Sequence, residues 1–401
     1  MDRPCAALEI TNKSLKLLVG YEIKGKVCCV YSLVKPLGEI KRNGEFLDFQ
    51  KTIADLAPFN NIRDPNAKIN VNIGDILLGL PPINFEVYQT RQNTTVVGED
   101  EKVQDIDIKN LFNLARRATA NYNTLNSLVD IIPEKYVLDQ GRTFINPPRG
   151  QTTSSVTLFA NVHSLSRNVM EDYKKVVEGA GFSIRRSVVT PFAAAELIAS
   201  YPDTPKDYIL VDIGARETIV SLVGNQMLYS SKIFQWGGDN ITHKIEETFN
   251  ISESEAEKLK IMYGIDKREL NFKAPICTYA DENGNEVKHY PEELNKIIKG
   301  ELDNFIEGLK KEINNLLADY DPRYKKLKML LVGGGSLLKG LVEYVSPKVE
   351  SSELSVIIPD TLGCRNPAFI NLIGMIYVQG KYQISSEDQK TKVSSVNRNS
   401  K

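Results

Sequence analysis

The apolar residues Leu330-Leu331-Val332 run straight into Gly333-Gly334-Gly335-Ser336. Glycines in such a turn leave the backbone bare, so that a flat ring or a phosphate can come within contact distance. The stretch reads as a strand, a turn, and then a helix opening at Leu337 and Leu338, whose unpaired N–H groups would suit an anion. An ordinary strand-to-helix turn would use the same residues, so the chemistry depends on partners elsewhere in the chain.

Two acidic residues are candidates for those partners. Cys5–Val19, continuing after Gly25 into Lys26–Leu33, and Tyr208–Val223, continuing after Gly224-Asn225 into Gln226–Ile233, share one design. Each reads as strand, short turn, strand, second turn, strand. In each, an acid (Glu9 or Asp212) stands at the end of the first strand. Two copies of one unit suggest duplicated halves that face each other across a ligand.

Other elements must position these residues. After Pro81-Pro82, residues 83–97 alternate polar with apolar, and Ile108, Leu111, Phe112, Leu114, Ala115 and Ala118 are spaced for one buried helix face. Ile131-Ile132-Pro133, Tyr136-Val137-Leu138 and Ser155–Val162 read as strands, and Val169–Gly179 as a helix. Residues 84–165 are thus expected to form an inserted α+β subdomain. A further region, 246–326, opens on Ser252, a helix cap with Glu255 three residues on. It closes on a long helix, Pro291–Leu317, with a single apolar stripe from Leu294 to Leu317. The opposite face, with Lys299, Glu301 and Asn304, is either solvated or a partner surface. Residues 382–401 carry almost no apolar side chains and are expected to be a disordered tail.

Composition excludes several classes. Lysine plus arginine (50) nearly cancels aspartate plus glutamate (51), so no overall basic field invites nucleic acid. Five cysteines without a CxxC pair, and only three histidines, argue against a zinc site. The odd cysteine count and the lack of a signal-peptide pattern predict a reducing cytosol.

The order of motifs then acquires a family likeness. Asp212-Ile213-Gly214, Trp236-Gly237-Gly238-Asp239, Glu255-Ala256-Glu257-Lys258-Leu259-Lys260 and Gly333–Ser336 follow one another as in the actin/Hsp70/sugar-kinase superfamily, which the chain resembles. The insertion at 84–165, with Ile132-Pro133-Glu134-Lys135-Tyr136 and Asn146-Pro147, is similar to the extra subdomain of the bacterial FtsA cell-division family. Pro191-Phe192-Ala193-Ala194-Ala195 and Asn366-Pro367-Ala368, followed by an apolar helix, also fit that family.

The resemblance implies a two-lobed, ribonuclease H-like α/β fold. Residues 1–83 and 166–198 would form one lobe, 199–245 and 327–381 the other, with 246–326 as a helical outer subdomain. It further implies ATP with Mg²⁺ in the cleft. Glu9, Asn12 and Lys13 would form the first phosphate hairpin, and Asp212, Gly214, Ala215 and Arg216 the second. Asp212 would hold the metal through water. Gly237, Gly238 and Asp239 match the connecting turn, Glu257 and Lys260 the ribose and adenine contacts, and Gly333, Gly334, Gly335 and Ser336 the adenosine turn.

Departures from the family pattern matter equally. Thr11 replaces a glycine where backbone should approach phosphate, and Glu9 is a methylene longer than aspartate. Glu217 brings a negative charge to the second hairpin, with Arg216 beside it to offset it. Thr190 stands where the family keeps an acid to orient attacking water, and a hydroxyl is no general base near neutral pH. These changes predict weak or absent hydrolysis, with nucleotide binding kept on the adenosine side.

The expected function is a divisome scaffold of the FtsA type at the division site. It would associate head to tail with itself and bind the C-terminal peptide of the tubulin-like protein FtsZ through Lys299, Glu301 and Asn304. The family's C-terminal amphipathic helix has no counterpart in 382–401, so membrane contact is expected to be indirect or through a partner. A working ATPase of the superfamily and a pilus-assembly adaptor resembling PilM are the alternatives.

Overall fold

The computed structural model describes residues 4–42, 44–64, 69–98, 100–119, 125–265, 274–280, 285–318 and 326–382. These fall into two compact units, Met1–Ile83 with Asp172–Tyr377, and Asn84–Glu171 with Val378–Lys401.

The first unit contains two five-stranded sheets of one plan. In the first, the strand order is Ser183–Val189, Asp75–Leu80, Cys5–Ile10, Ser14–Ile23, Lys26–Pro36. In the second it is Leu354–Val356, Lys328–Val332, Tyr208–Ile213, Thr218–Gly224, Met227–Phe234. Each central strand has a parallel neighbour on one side and an antiparallel hairpin partner on the other. Central strands of this kind bury both faces, which explains the near-continuous apolar runs Ala-Ala-Leu and Tyr-Ile-Leu-Val. Glu9 and Asp212 are each the penultimate residue of a central strand, so the shared plan delivers both carboxylates to strand ends.

The long helix Pro291–Leu317 buries its stripe (Leu294, Ile298, Leu302, Phe305, Leu309, Ile313, Leu316) with Ile209, Val211, Val220, Trp236 and Ile245 in one core. At roughly 1.5–3 kcal/mol per fully buried large apolar side chain, this stripe anchors the helix. Ser252 and Glu255 form the anticipated reciprocal cap on Glu253–Tyr263.

The glycine turn departs from the expected helix opening. Lys328–Val332 is followed by a 3-10 turn, Gly334–Leu337, and the next helix is the short Leu341–Val345. Gly333 lies at φ +82, and a Cβ there would collide with Asp212 Oδ1 and Ile213 O; one on Gly335 would collide with Ile213 Cγ2. A Cβ on Gly334 would meet only Ala368 Cβ, at 3.9 Å. The outer two glycines are therefore required by the protein's own packing, and Gly334 alone leaves its open face to a ligand.

The C-terminal helix Ile370–Lys381 approaches the helix Thr190–Ala199 so closely that a Cβ on Gly374 would strike Ala193 O. This close crossing sets the first turn of the C-terminal helix, with Asn371, against the strand ends that carry Glu9 and Asp212.

The second unit is a four-stranded antiparallel sheet ordered Thr143–Phe144, Asn126–Leu138, Ser155–Ser166, Glu86–Thr95. The helix Asp105–Thr119 lays Ile108, Leu111, Phe112 and Ala115 on Tyr136, Leu138, Val156, Leu158 and Val162. The two strands expected at 131–133 and 136–138 are one, with a register shift between Pro133 and Lys135 where proline offers no N–H. The tail expected to be disordered lies, beyond Tyr382, outside the described residues. Among the described residues no helix is long and apolar enough to cross a membrane.

Candidate functional site

A cavity of about 430 Å³ opens within the first unit, between the ends of the two hairpins and the glycine turn. Of the residues singled out from sequence, Glu9, Asn12, Asp212, Gly214, Ala215, Arg216, Gly238, Asp239, Glu257, Lys260, Gly334 and Gly335 line it. Lys13, Gly237, Gly333 and Ser336 are not among the lining residues. The Ser336 hydroxyl is turned inward and donates to Gly333 O at 2.7 Å, bracing the turn.

The hairpins meet through their side chains. Asn12 Nδ2 donates to Glu217 Oε2 at 3.0 Å. Lys13 Nζ lies 2.6 Å from Asp239 Oδ2 and 2.8 Å from Glu253 Oε1. Burial pulls the Lys13 ammonium down, but Asp239 and Glu253 together leave its pKa raised. Arg216 pairs with Glu39 and reaches Asp239 Oδ2 at 3.4 Å. The connecting turn is tied by backbone: Gly238 N donates to Gly214 O at 3.0 Å and Asp239 N to Ala215 O at 2.7 Å.

The two strand-end carboxylates are joined. Asn371 Nδ2 donates to Glu9 Oε1 at 3.0 Å and to Asp212 Oδ2 at 2.9 Å. Lys16, directly opposite Glu9 in the hairpin register, sets its Nζ 3.2 Å from Glu9 Oε2 as an ion pair. Burial pushes the Asp212 carboxyl above its ordinary range, with Lys16 opposing and Glu9 reinforcing that shift. Burial pulls Lys16 down, but the charges of Glu9 and Asp212 outweigh it and leave its pKa raised.

Lys41 also faces this cavity and is only 2% exposed. It donates to the Tyr173 hydroxyl, which in turn donates to Ile10 O at 3.3 Å. Burial brings the Lys41 ammonium down to about 8, against the opposing pull of Glu217 and Glu9.

On the glycine-turn side, Lys260 Nζ donates to Gly238 O at 3.0 Å and to Thr242 Oγ1 at 2.8 Å, and pairs with Glu257 at 2.6 Å. The three-residue spacing of Glu257 and Lys260 thus puts both on the cavity face of one helix. Thr190 lines the cavity too, its hydroxyl 3.4 Å from Leu80 O.

Sequence reasoning missed Lys16, Lys41 and Asn371 as site residues. Lys16 had a signal, its mirror position across the hairpin from Glu9. Asn371 had none, since its two partners lie far away in sequence.

The partner-surface candidates all lie on the long helix, where Asn304 is exposed and Lys299 and Glu301 are half-buried. Beside them the Tyr344 hydroxyl and Lys348 hold Asp303, with Tyr344 Oη 3.0 Å from Asp303 Oδ1.

Known proteins match this chain along most of its length. The family model for cell division protein FtsA matches residues 209–374. The cell division protein FtsA of Enterococcus faecalis is 26% identical over 398 residues, covering 96% of this chain and 87% of that protein. Among solved structures, the PilM-PilN type IV pilus biogenesis complex contains a chain that aligns with a TM-score of 0.59 at 16% identity, over 94% of this chain and 99% of that one. MreB5 of Spiroplasma citri bound to ADP aligns with a TM-score of 0.50 at 13% identity, over 94% of this chain and 96% of that one. The structural likenesses bear on the fold, which is actin-like, and in sequence the chain is similar to cell division protein FtsA.

Proposed function

We propose that this protein is a divisome scaffold whose cleft binds an adenine nucleotide as a structural ligand and does not turn it over. In this reading protomers associate head to tail, a contact that does not close and so yields filaments. The exposed side of the long helix, around Lys299, Glu301 and Asn304, receives the C-terminal peptide of FtsZ, and the membrane is reached through a partner.

The observation that carries the reading is Thr190. It occupies the position before Pro191, lines the cavity, and offers a hydroxyl directed at Leu80 O where hydrolysis would need an acid or base to orient water. A working ATPase, the competing reading, lacks its base there.

Binding is supported from the opposite side. A cavity of about 430 Å³ is within the range of small-molecule sites. Gly334 is open to it, and Glu257, held in place by Lys260, supplies a carboxylate acceptor of the kind a ribose hydroxyl takes. Asn12 Oδ1 is a buried acceptor without a protein donor among the described residues, a place for a ligand hydroxyl or a water. The structural neighbour MreB5 of Spiroplasma citri is bound to ADP.

Magnesium does not fit the residues as they stand. The carboxylates that would hold it already take hydrogens from Asn371, and Glu9 is paired with Lys16.

The test is calorimetric titration with ADP, with phosphate release and sedimentation alongside. Lys260→Ala, which frees Glu257 and the Gly238 turn that the ammonium holds, is expected to weaken ADP about tenfold or more. Sedimentation with FtsZ filaments is expected, and charge reversal at Lys299 and Glu301 is expected to abolish it. Unchanged ADP affinity in Lys260→Ala would remove the nucleotide assignment, and unaltered co-sedimentation would remove the docking surface.

A further inference from the structure

The clasp between Glu9 and Asp212 goes further than an eroded active site. Each carboxylate oxygen of this pair has a neighbour from the chain itself. Glu9 Oε1 and Asp212 Oδ2 converge on one amide nitrogen, Asn371 Nδ2, at 3.0 and 2.9 Å. Glu9 Oε2 faces the Lys16 ammonium at 3.2 Å. Asp212 Oδ1 lies against Gly333, so closely that no Cβ could stand there. Magnesium requires near-octahedral oxygen ligands and keeps several of its waters, which needs open space around the carboxylates. An ammonium beside the pair also repels a second cation at short range.

Resting on the nucleotide reading above, we propose that Glu9 and Asp212 hold no divalent cation. Lys16 and Asn371 supply from within the chain the charge and the donors such an ion would bring, so nucleotide binds equally with or without magnesium. Lys16 is the third residue after the turn, and Asn371 is fixed by the close crossing of its helix at Gly374. The replacement is thus built into both the hairpin register and the helix packing. Asn371 acts as a positioning residue, setting the direction of both carboxylates.

Two measurements on the full chain test this. In the first, ADP is titrated calorimetrically in magnesium and in EDTA. Dissociation constants that agree within about twofold support the proposal. Binding intact in magnesium but tenfold or more weaker in EDTA overturns it and leaves the nucleotide reading standing. No binding in either medium removes the nucleotide reading, and magnesium independence with it.

The second measurement needs no nucleotide. Mn²⁺ alone is titrated into the wild type and Asp212→Asn, with free ion read by electron paramagnetic resonance. Equal uptake by the two supports the proposal, and an equivalent bound by the wild type but lost in Asp212→Asn overturns it. The double variant Lys16→Met, Asn371→Asp is expected to gain one bound Mn²⁺. A folded double variant with no gain overturns the assignment of Lys16 and Asn371 as occupants.

Discussion

Glu9 and Asp212, carried on the central strands of two separate sheets, share a single donor: Asn371 Nδ2 stands 3.0 Å from one and 2.9 Å from the other. The two hairpins are thereby fastened at the point where the fold's symmetry brings their acids together. Lys13 with Asp239, Asn12 with Glu217 and Arg216 with Glu39 continue the fastening along the hairpin ends.

Removing the shared donor leaves two half-buried carboxylates without it. Asn371→Ala is expected to destabilise the protein by about 1–3 kcal/mol, the cost of half-buried acceptors left unmade, measured by urea unfolding. Asn371→Asp adds a third carboxylate beside them, whose folded-state pKa must rise above an unfolded value near 3.9. Its penalty is absent below that value and complete above the raised folded one, so this variant loses more stability at pH 7 than at pH 4. A loss independent of pH would contradict the clasp.

The three glycines of the turn are not equivalent. Gly333→Ala places a Cβ at φ +82 against Asp212 Oδ1 and Ile213, and a loss of roughly 2 kcal/mol or more is expected. Gly334→Ala has only Ala368 Cβ nearby, at 3.9 Å, and is expected to leave the melting temperature within about 2 °C. It should nevertheless weaken ADP. Thermal unfolding of the two variants, with ADP titration of the second, separates packing from ligand approach.

This contrast also marks how far the sequence was legible. The cap Ser252–Glu255 and the bounds of Pro291–Leu317 could be read because both rest on local spacing. The paired acids could be read because the two sheets repeat one pattern. The apolar residues after Ser336 suggest a helix start at the glycine turn, but Gly340 at φ +76 delays the helix to Leu341. Asn371 and Lys41 were illegible as site residues, since each meets its partners only through tertiary packing. A lysine in the two-residue strand Lys41–Arg42 carries no sign that it will be buried.

Lys41 gives a pH signature. Its folded-state pKa, about 8, lies below the unfolded value near 10.4, so between these two pH values the unfolded chain binds more protons. Stability therefore rises with pH across that window, and the gain is lost as pH falls to 8. Lys41→Met lacks this term. Relative to that variant, the wild type is expected to gain on the order of 1–3 kcal/mol from pH 8 to 10, by urea unfolding at each pH. A constant difference would show that the ammonium is not buried.

Cys29 offers a second titration. A hydrogen bond from Cys364 lowers its thiol to about 7, with burial opposing and Ser32 and the Tyr31 backbone assisting. The same contact, with burial, pushes Cys364 up. In a Cys28→Ser background, alkylation of Cys29 is expected to reach half its limiting rate near pH 7. Cys364→Ala should move that midpoint toward the ordinary thiol range, about 8.5. An unmoved midpoint would dissolve the pairing.

The most direct measurement follows ATP mixed with excess protein, recovering the bound nucleotide over time and assaying released phosphate. The expected result is ATP retained intact, with phosphate no higher than in buffer. Phosphate release at ordinary enzyme rates, on the order of 1 s⁻¹ or faster and abolished in Asp212→Ala, would contradict a cleft that binds without cleaving.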